Sequence, residues 1–331
     1  MLSPTKTHTR PLTENFRQDV IAGLQQSQKQ IPCKYLYDGR GSALFDQICR
    51  LEEYYVTRTE TEIMRRHVDE ITAVLGNRVR LIEFGSGSSV KTRLLLDHLP
   101  DGAVYIPVDI SEKHLLSTAA RLQSQYTQLE VLPVVADFTQ PFAIPPTNRS
   151  PNSQTRQQSD PLPIRTTVYF PGSTIGNYSR KQSAKLLTRI ASICHAGDGL
   201  LIGVDLQKDT AVLERAYNDA AGITAAFNCN LLRRMQLELG ADLDLDGFEH
   251  FSFYNEQQGR IESYLRSRRS QCIEIDTWQF KFEEGELIHT EYSYKYTIAG
   301  FRQLAERAGL SFNKAWTDSR DYFAVLHFTR S

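Results

Sequence analysis

The sequence lacks the features that mark several common classes of protein. No run of apolar residues approaches the roughly 18 that a membrane-spanning helix needs, so we expect no membrane partner. Neither sign of charge dominates, because 38 Lys and Arg residues stand against 39 Asp and Glu residues, and no nucleic-acid partner is expected. The polar residues 1–18 contain no apolar segment typical of a secretion signal. We therefore expect a cytoplasmic protein.

Cysteine is scarce and scattered. The five cysteines are odd in number and include no C-x-x-C pair. This pattern argues against both a disulfide framework and a structural zinc site. We expect five buried thiols that pack as small apolar side chains, and no metal cofactor.

What the sequence does contain is an alternation of strand-like and helix-like segments through its middle part. The predicted strands are residues 78–84, 103–109, 130–135, 165–171 and 199–205. Segments with helical spacing of apolar residues separate most of them. This alternation predicts an α/β fold in which a parallel sheet carries helices on both faces. A closing helix at 298–308 and a strand at 322–328 are expected to return to that sheet.

Other regions depart from this rhythm. Residues 11–75 and 209–240 are predicted to be helical, and residues 248–296 to form antiparallel strands. A chain of 331 residues exceeds the usual size of a domain with one core, which favours two domains or one domain with an insertion. Residues 145–163 contain Pro, Ser, Asn and Gln with almost no apolar side chain, and a mobile loop is expected there.

Three signals fall where predicted parallel strands end, which is where open α/β sheets bind ligands. Gly85 and Gly87 follow the first strand and would let a ligand approach the backbone closely. Asp109 ends the second strand, where a carboxylate can accept hydrogen bonds from both ribose hydroxyls. Asp137 and Phe138 follow the third strand and offer an acceptor for an amino group and an aromatic face for a purine. Singly, each signal is more often a tight turn or a helix cap than part of a ligand site, but together they predict an adenosine pocket.

The loop after the first strand distinguishes between two adenosine-containing ligands. A nicotinamide dinucleotide calls for G-x-G-x-x-G before a helix, and Val90 stands where the last glycine would be. Lys91 could bind either a phosphate or a methionine carboxylate. Glu83, shortly before Gly85, is typical of class I methyltransferases. We therefore predict S-adenosylmethionine (SAM) as the ligand.

Longer motifs carry a more specific resemblance that extends over nearly the whole chain. They are KYLYDxxGSxLFDxI from Lys34, EYYxTRxE from Glu53, FPGSTIGN from Phe170 and TEYS from Thr290. These blocks resemble the L-histidine Nα-methyltransferases of ergothioneine biosynthesis. The resemblance implies three methyl transfers from SAM to the α-amine of histidine, which give hercynine.

The resemblance also implies an architecture. It comprises a class I, Rossmann-like methyltransferase sheet and a second α+β substrate-binding domain, made of the N-terminal segment and an insertion after strand five. The boundaries are residues 60–204 plus 297–331 for the SAM-binding domain and 1–59 plus 205–296 for the substrate-binding domain. We expect the protein to act as a monomer.

Carried over by position, the resemblance assigns roles to individual residues. Asn177 and Tyr217 would hold the substrate carboxylate, and Tyr54 would lie beside the α-amine, with Tyr54 and Asn177 as the catalytic pair. Glu291 and Ser293 would hold the imidazole. Two further positions would complete the substrate pocket, Tyr37 by closing it through water and Gly172 by lining the approach of the amine. The implied SAM contacts are Gly85, Lys91, Asp109, Asp137 and Phe138.

Elementary chemistry is consistent with these roles. A methyl sulfonium is already activated, so the enzyme needs an in-line neutral amine and neither a metal nor a covalent nucleophile. Uncharged partners such as Tyr54 and Asn177 favour the neutral amine over the ammonium. Glu291 can accept from one imidazole nitrogen while Ser293 serves the other, and buried polar groups reject analogues that leave them unpaired.

Other interpretations stay open at this point. Taken singly, Tyr54 would be a core aromatic, Asn177 a turn residue, and Glu291 and Ser293 solvent-facing strand residues. The same fold could methylate another amino acid such as tryptophan, although an indole offers one donor and no acceptor. A nicotinamide-dependent oxidoreductase and a non-catalytic SAM-binding partner are the remaining alternatives.

Overall fold

The computed structural model describes residues 5–6, 12–86, 90–147 and 164–331. The strands are β1 (Thr5–Lys6), β2 (Val79–Phe84), β3 (Val104–Asp109), β4 (Glu130–Val131), β5 (Val134–Val135), β6 (Arg165–Phe170), β7 (Gly199–Asp205), β8 (Phe248–Asn255), β9 (Arg260–Ser267), β10 (Gln271–Ile275), β11 (Trp278–Phe282), β12 (Leu287–Tyr294), β13 (Leu310–Thr317) and β14 (Phe323–Arg330). The helices are α1 (Leu12–Leu24), α2 (Gly39–Ile48), α3 (Tyr55–Leu75), α4 (Val90–Leu96), α5 (Glu112–Gln125), α6 (Arg180–Ile193), α7 (Thr210–Tyr217), α8 (Ile223–Leu239) and α9 (Ile298–Arg307).

A nine-stranded sheet organises the molecule, in the order β1-β5-β3-β2-β6-β7-β14-β13, with β4 beside β3. The strands from β1 to β7 pair in parallel, and β14 runs antiparallel to both β7 and β13. The predicted parallel α/β sheet is therefore confirmed. Chain order reverses beside β2, which pairs with β3 on one side and β6 on the other, so a ligand site is expected at that point.

Helices cover both faces of this sheet, because its central strands are buried on both sides. On β2, Leu81 packs in the cluster that contains Ile63 of α3, whereas Ile82 packs in the cluster that contains Leu187 of α6. Burying one such side chain contributes about 1.5–3 kcal/mol. Successive strand residues point to opposite faces, so a near-continuous apolar strand requires a helical layer on each side.

Three segments differ from the sequence-based prediction. The strand predicted at 130–135 is interrupted, because Leu132 and Pro133 separate β4 from β5 and proline has no N–H for the sheet. The predicted helical stretch 209–240 forms two helices separated at Gly222, whose φ is 70°. The strand β13 was missed: it lies at the sheet edge and alternates exposed polar side chains with few buried ones.

Beyond β7 the chain builds a second layer. A three-stranded antiparallel sheet, β12-β9-β8, and the hairpin β10-β11 confirm the predicted antiparallel region. Helix α8 packs against this sheet and against α2 from the N-terminal segment. This layer places β12 beside the turn that follows β6, which brings the two halves of the predicted site together.

Two expectations concern regions that the structure describes only in part. Of the predicted mobile loop 145–163, residues 148–163 lie outside the described residues. Within the described parts of the chain, no helix is both long enough and apolar enough to cross a membrane.

Candidate active site

The predicted adenosine residues lie together beyond the carboxyl ends of β2, β3 and β5. Gly85 follows β2 with φ of 71°, and its N–H donates to the carbonyl of Val108 at 2.9 Å. Asp109 ends β3, and its Oδ1 accepts the N–H of Ser111 at 2.8 Å. Asp137 follows β5, and its Oδ1 accepts the N–H of Thr139 at 2.9 Å. The sheet thus brings three separated sequence positions to one edge. Gly87 lies outside the described residues.

Phe138 flanks the same space. Its ring stacks on Phe84 with a centroid distance of 5.1 Å and an interplanar angle of 12°. A Cβ added to Gly85 would lie 3.8 Å from the Phe138 ring. The glycine therefore keeps open a space beside an aromatic ring, which is what a flat nucleoside base needs.

Glu83 supports the glycine turn after β2 through hydrogen bonds to neighbouring side chains. It is only 2% exposed and accepts hydrogen bonds from the hydroxyls of Tyr105 and Thr92, the latter at 2.7 Å. Burial raises the pKa of Glu83 to about 7. Thr92 belongs to α4, so Glu83 ties the end of β2 to the helix that follows the glycine turn.

Lys91 and Gly172 meet at a buried carboxylate that sequence reasoning did not single out. Glu60 on α3 is 0% exposed and forms an ion pair with Lys91. Both carboxylate oxygens of Glu60 also accept the N–H of Gly172 at 3.0 Å. A Cβ on Gly172 would lie 3.4 Å from the Lys91 Nζ. Glu60 thus joins a predicted SAM contact to a predicted wall of the substrate pocket.

Aromatic side chains form the neighbouring pocket. The ring of Tyr37 lies 5.4 Å from that of Phe45 and 5.3 Å from that of Phe227. Tyr54, which precedes α3, lies 6.2 Å from Tyr217 at the end of α7. Burial raises the pKa of Tyr54 well above its ordinary value, so its hydroxyl stays protonated and uncharged at neutral pH.

The polar residues predicted for substrate binding are also adjacent. Asn177 donates through Nδ2 to Oε1 of Glu291 at 3.3 Å, and the Tyr217 hydroxyl donates to Oγ of Ser293 at 2.8 Å. Glu291 and Ser293 stand two residues apart on β12 and share one face of the strand. Burial raises the pKa of Glu291 to about 7, although the charge of Lys295 opposes that shift.

A charged network behind this pocket was missed by sequence reasoning. Lys295 donates to Ser293 at 2.8 Å and pairs with Asp205 at 2.7 Å. Asp205 also pairs with Lys208 at 2.5 Å and accepts the Tyr55 hydroxyl at 2.8 Å. One signal was present, because residues 291, 293 and 295 alternate along β12 and the position that directly follows it.

The turn after β6 connects the two pockets. Gly172 has φ of 77° and Ser173 has φ of 56°, which is unusual for a residue with a side chain. The Ser173 Oγ accepts the N–H of Asp205 at 2.9 Å, and Asn177 ends the short 3-10 turn that follows. One segment therefore reaches Glu60 and Lys91 at one end and Glu291 at the other.

The cysteine and metal expectations have separate outcomes. Cys194 is buried, but Cys33, Cys49, Cys229 and Cys272 are partly exposed, so the expectation of five buried thiols is wrong for four of them. All five are free thiols. Among the described residues, no group of three or more His, Cys, Asp or Glu side chains could hold a metal ion.

Comparisons with known proteins agree with one another. A family model described as a histidine-specific, SAM-dependent methyltransferase matches residues 16–330. A histidine N-alpha-methyltransferase of Mycolicibacterium smegmatis is 41% identical over 317 residues, which cover 94% of each chain. A histidine N-alpha-methyltransferase of Mycobacterium tuberculosis is 38% identical, over 94% of this chain and 93% of the relative. An ergothioneine biosynthesis protein 1 of Neurospora crassa is 29% identical, over 89% of this chain and 32% of the relative.

Proposed function

Because the chain belongs to the histidine-specific, SAM-dependent methyltransferases, we propose that it methylates the α-amine of L-histidine three times to give hercynine. This reaction is the first step of ergothioneine biosynthesis. Family membership also removes the nicotinamide-dependent oxidoreductase and the non-catalytic partner as alternatives.

The observation that carries the choice of substrate is the placement of Glu291 and Ser293. Ser293 is buried and Glu291 is partly buried, they share one face of β12, and each is hydrogen-bonded to another predicted substrate contact. A carboxylate acceptor beside a hydroxyl matches an imidazole, which carries one N–H and one bare nitrogen. An indole would leave one of these two groups without a partner, and an unpaired buried polar group costs about 1–3 kcal/mol.

The remaining residues fit the rest of the amino acid. Asn177 and Tyr217 would hold the carboxylate, and Tyr54 would lie beside the amine. Gly172 would line the amine's approach with backbone alone, which suits a position where an added Cβ would lie 3.4 Å from the Lys91 Nζ. Tyr37 would close the imidazole end of the pocket, where it packs between Phe45 and Phe227.

The SAM site fits the residues at the sheet edge. The space that a side chain at Gly85 would narrow lies beside Phe138, where the adenine would stack. Asp109 would accept the ribose hydroxyls, Asp137 the adenine amino group, and Lys91 would pair with the methionine carboxylate. When bound, SAM supplies a methyl group already activated by a sulfonium.

Methyl transfer places a simple requirement on these residues. The amine lone pair forms the new N–C bond as the S–C bond breaks, and the sulfur leaves as a neutral thioether. An ammonium has no lone pair, so the nitrogen must release a proton to solvent before each transfer. Tyr54 and Asn177 carry no charge and do not stabilise the ammonium as a carboxylate would, which favours the reactive form. These two residues would contribute by orienting the amine and by keeping a negative charge away from it.

We also propose the division of labour within the chain. Residues 60–204 with 297–331 would bind SAM, and residues 1–59 with 205–296 would bind histidine. The boundary falls where β7 ends and the chain leaves the large sheet. We further propose a cytoplasmic monomer that acts on a small molecule without nucleic acid.

Incubation with SAM and an equimolar mixture of the twenty amino acids tests the function directly. We expect mass spectrometry to find three added methyl groups on histidine and none on the other nineteen. Methylation of tryptophan would be consistent with a SAM-dependent methyltransferase but would contradict the assignment of Glu291 and Ser293 to the imidazole. Absence of any methylated amino acid would contradict the proposed function itself.

The Tyr217→Phe variant tests the carboxylate contact. We expect the KM for histidine to rise about tenfold, because a hydrogen bond to a charged group contributes about 1.5–3 kcal/mol. Histamine lacks the carboxylate, so its inhibition constant should change little. The Tyr126→Phe variant is a matched control, since that hydroxyl donates to Asp97 at 2.5 Å on the exposed surface. Equal losses of affinity for histidine and for histamine would contradict the carboxylate contact and would mean that Tyr217 acts at the imidazole end of the substrate.

A further inference from the structure

We propose that Lys295 is a positioning residue that makes Tyr217 and Ser293 hydrogen-bond donors toward the amino-acid substrate. The inference rests on the proposed function and extends it to a residue that binds no substrate atom itself. Lys295 directly follows β12 and is 0% exposed.

All three donors of Lys295 have acceptors. Its Nζ donates to the Tyr217 hydroxyl at 3.1 Å and to the Ser293 Oγ at 2.8 Å, and it pairs with Oδ2 of Asp205 at 2.7 Å. An ammonium carries three N–H donors and no acceptor. Lys295 therefore fills one acceptor position on each hydroxyl and can take a proton from neither.

These hydrogen bonds determine whether each of the two hydroxyls donates or accepts toward the substrate. A hydroxyl has one O–H donor and two acceptor positions. In this structure the Tyr217 hydroxyl donates to Ser293, so the Ser293 Oγ receives two hydrogen bonds and keeps its own O–H to give. When the Tyr217 O–H turns toward a substrate carboxylate, Lys295 still holds both oxygens in place. Both hydroxyls then act as donors.

Donation by Ser293 favours the neutral form of the imidazole. Glu291, once ionised, can only accept, and Ser293 in this arrangement donates. A neutral imidazole satisfies both, because it has one N–H and one bare nitrogen. An imidazolium has two N–H groups and would place a donor against Ser293.

The charge balance behind the pocket points the same way. Asp205 faces two lysines, with Lys208 at 2.5 Å from Oδ1 and Lys295 at 2.7 Å from Oδ2. Burial lowers the pKa of Lys295, but Asp205 and Tyr217 together raise it more, so the side chain stays charged. Two cations around one carboxylate leave positive charge behind Tyr217. Of the two lysines, only Lys295 donates to the Tyr217 hydroxyl, so its charge is the one that favours a substrate carboxylate there.

Paired variants of the two lysines test this role. Lys295→Met and Lys208→Met each remove one cation from Asp205 and leave it the other, so they match in the charge that they remove. Only Lys295 also contacts Tyr217 and Ser293. We expect Lys295→Met to raise the KM for histidine about 30-fold at unchanged SAM affinity. Lys208→Met should keep the KM for histidine within about twofold of the unaltered protein.

The pH profile gives a second readout. Burial raises the pKa of Glu291, and the charge of Lys295 holds that pKa down. The other groups coupled to Glu291 are Cys33, Tyr37, Tyr54 and Tyr217, and their raised pKa values keep them neutral near pH 7. Lys295→Met should therefore shift the acid limb of kcat/KM for histidine to higher pH. Titration of free histidine is the same for both proteins and cancels in the comparison.

The outcomes separate the inference from the function. Equal effects of the two lysine variants, or an acid limb that stays in place, would mean that Lys295 only neutralises Asp205 and would overturn the inference. If Lys295→Met does not fold, Asp205→Asn/Lys295→Met removes the buried ion pair as a unit and carries the same expectation for the KM for histidine. Failure of the unaltered protein to methylate histidine would instead overturn the proposed function.

Discussion

Replacing Glu291 by alanine should raise the KM for histidine about 100-fold and leave SAM affinity unchanged. The carboxylate is partly buried on β12 and accepts the Asn177 amide at 3.3 Å, so it faces the same pocket as the predicted carboxylate contact. Its loss leaves an imidazole N–H in a closed pocket without an acceptor. Hydrogen bonds to a buried charged group contribute about 1.5–3 kcal/mol, and each 1.4 kcal/mol is about tenfold in affinity.

Steady-state kinetics with each substrate varied in turn checks this result. Glu274→Ala is the control, because Glu274 is exposed on the hairpin and bonded to Gln279. Equal losses of histidine and SAM affinity in Glu291→Ala would assign Glu291 a structural role. Improved methylation of an amino acid with an apolar side chain would instead support its part in selectivity.

The same variant has a predicted pH signature in stability. Burial raises the pKa of Glu291 from 4.5 to about 7, so the folded protein binds this proton more tightly than the unfolded chain does. The stabilisation that this proton gives is complete below pH 4.5 and is lost as the pH rises through 7. The Glu291→Ala variant has no carboxyl group at this position, so it does not lose this stabilisation as the pH rises. Its Tm relative to the unaltered protein should therefore be higher at pH 8 than at pH 5, and a pH-independent difference would contradict the raised pKa.

Replacing Asp109 by alanine should weaken the binding of SAM rather than the binding of histidine. We expect the Kd for SAM to rise about 50-fold. Asp109 ends β3 at the point where the order of the sheet reverses, and its two oxygens can accept both ribose hydroxyls. Two partly exposed, charge-assisted hydrogen bonds together contribute about 2–3 kcal/mol, which corresponds to this loss. Isothermal titration with SAM measures it.

Two companion variants make this result interpretable. Asp109→Asn keeps an acceptor for the Ser111 N–H, which Asp109 now holds at 2.8 Å, and should give an intermediate Kd. Asp101→Ala removes an exposed carboxylate in the turn before β3 and should leave the Kd unchanged. Unchanged SAM affinity in Asp109→Ala would exclude Asp109 as the ribose contact.

Much of the fold was predictable because it depends on local patterns. The strand at 199–205 was predicted with the bounds that the structure shows. Near-continuous apolar runs and helical spacing are strong local signals. The interrupted strand at Pro133 and the missed edge strand β13 have weaker patterns, because edge strands bury less and tolerate more polar residues.

The candidate site likewise contains residues that the sequence predicted and residues that it did not. Gly85, Asp109 and Asp137 were predicted to meet because parallel strands end at one edge, and family motifs indicated Tyr54, Asn177 and Glu291. Roles for these residues remain predictions. No role was predicted for Glu60, Asp205 or Lys295. Glu60 ends the EYYxTRxE motif, but the motif does not reveal its contacts with Lys91 and Gly172. The ion pair between Asp205 and Lys295 likewise joins residues that are far apart in sequence.

The sequence by itself determined the fold class, the SAM-dependent chemistry and the family, because these depend on periodicity and on contiguous motifs. Only the tertiary structure decided which buried charges stand behind the pocket. Lys295 acquires its three acceptors from β7, α7 and β12, which are brought together only when the second layer packs on the large sheet. Desolvation and hydrogen-bond direction depend on that packing, and no pattern along the chain specifies them.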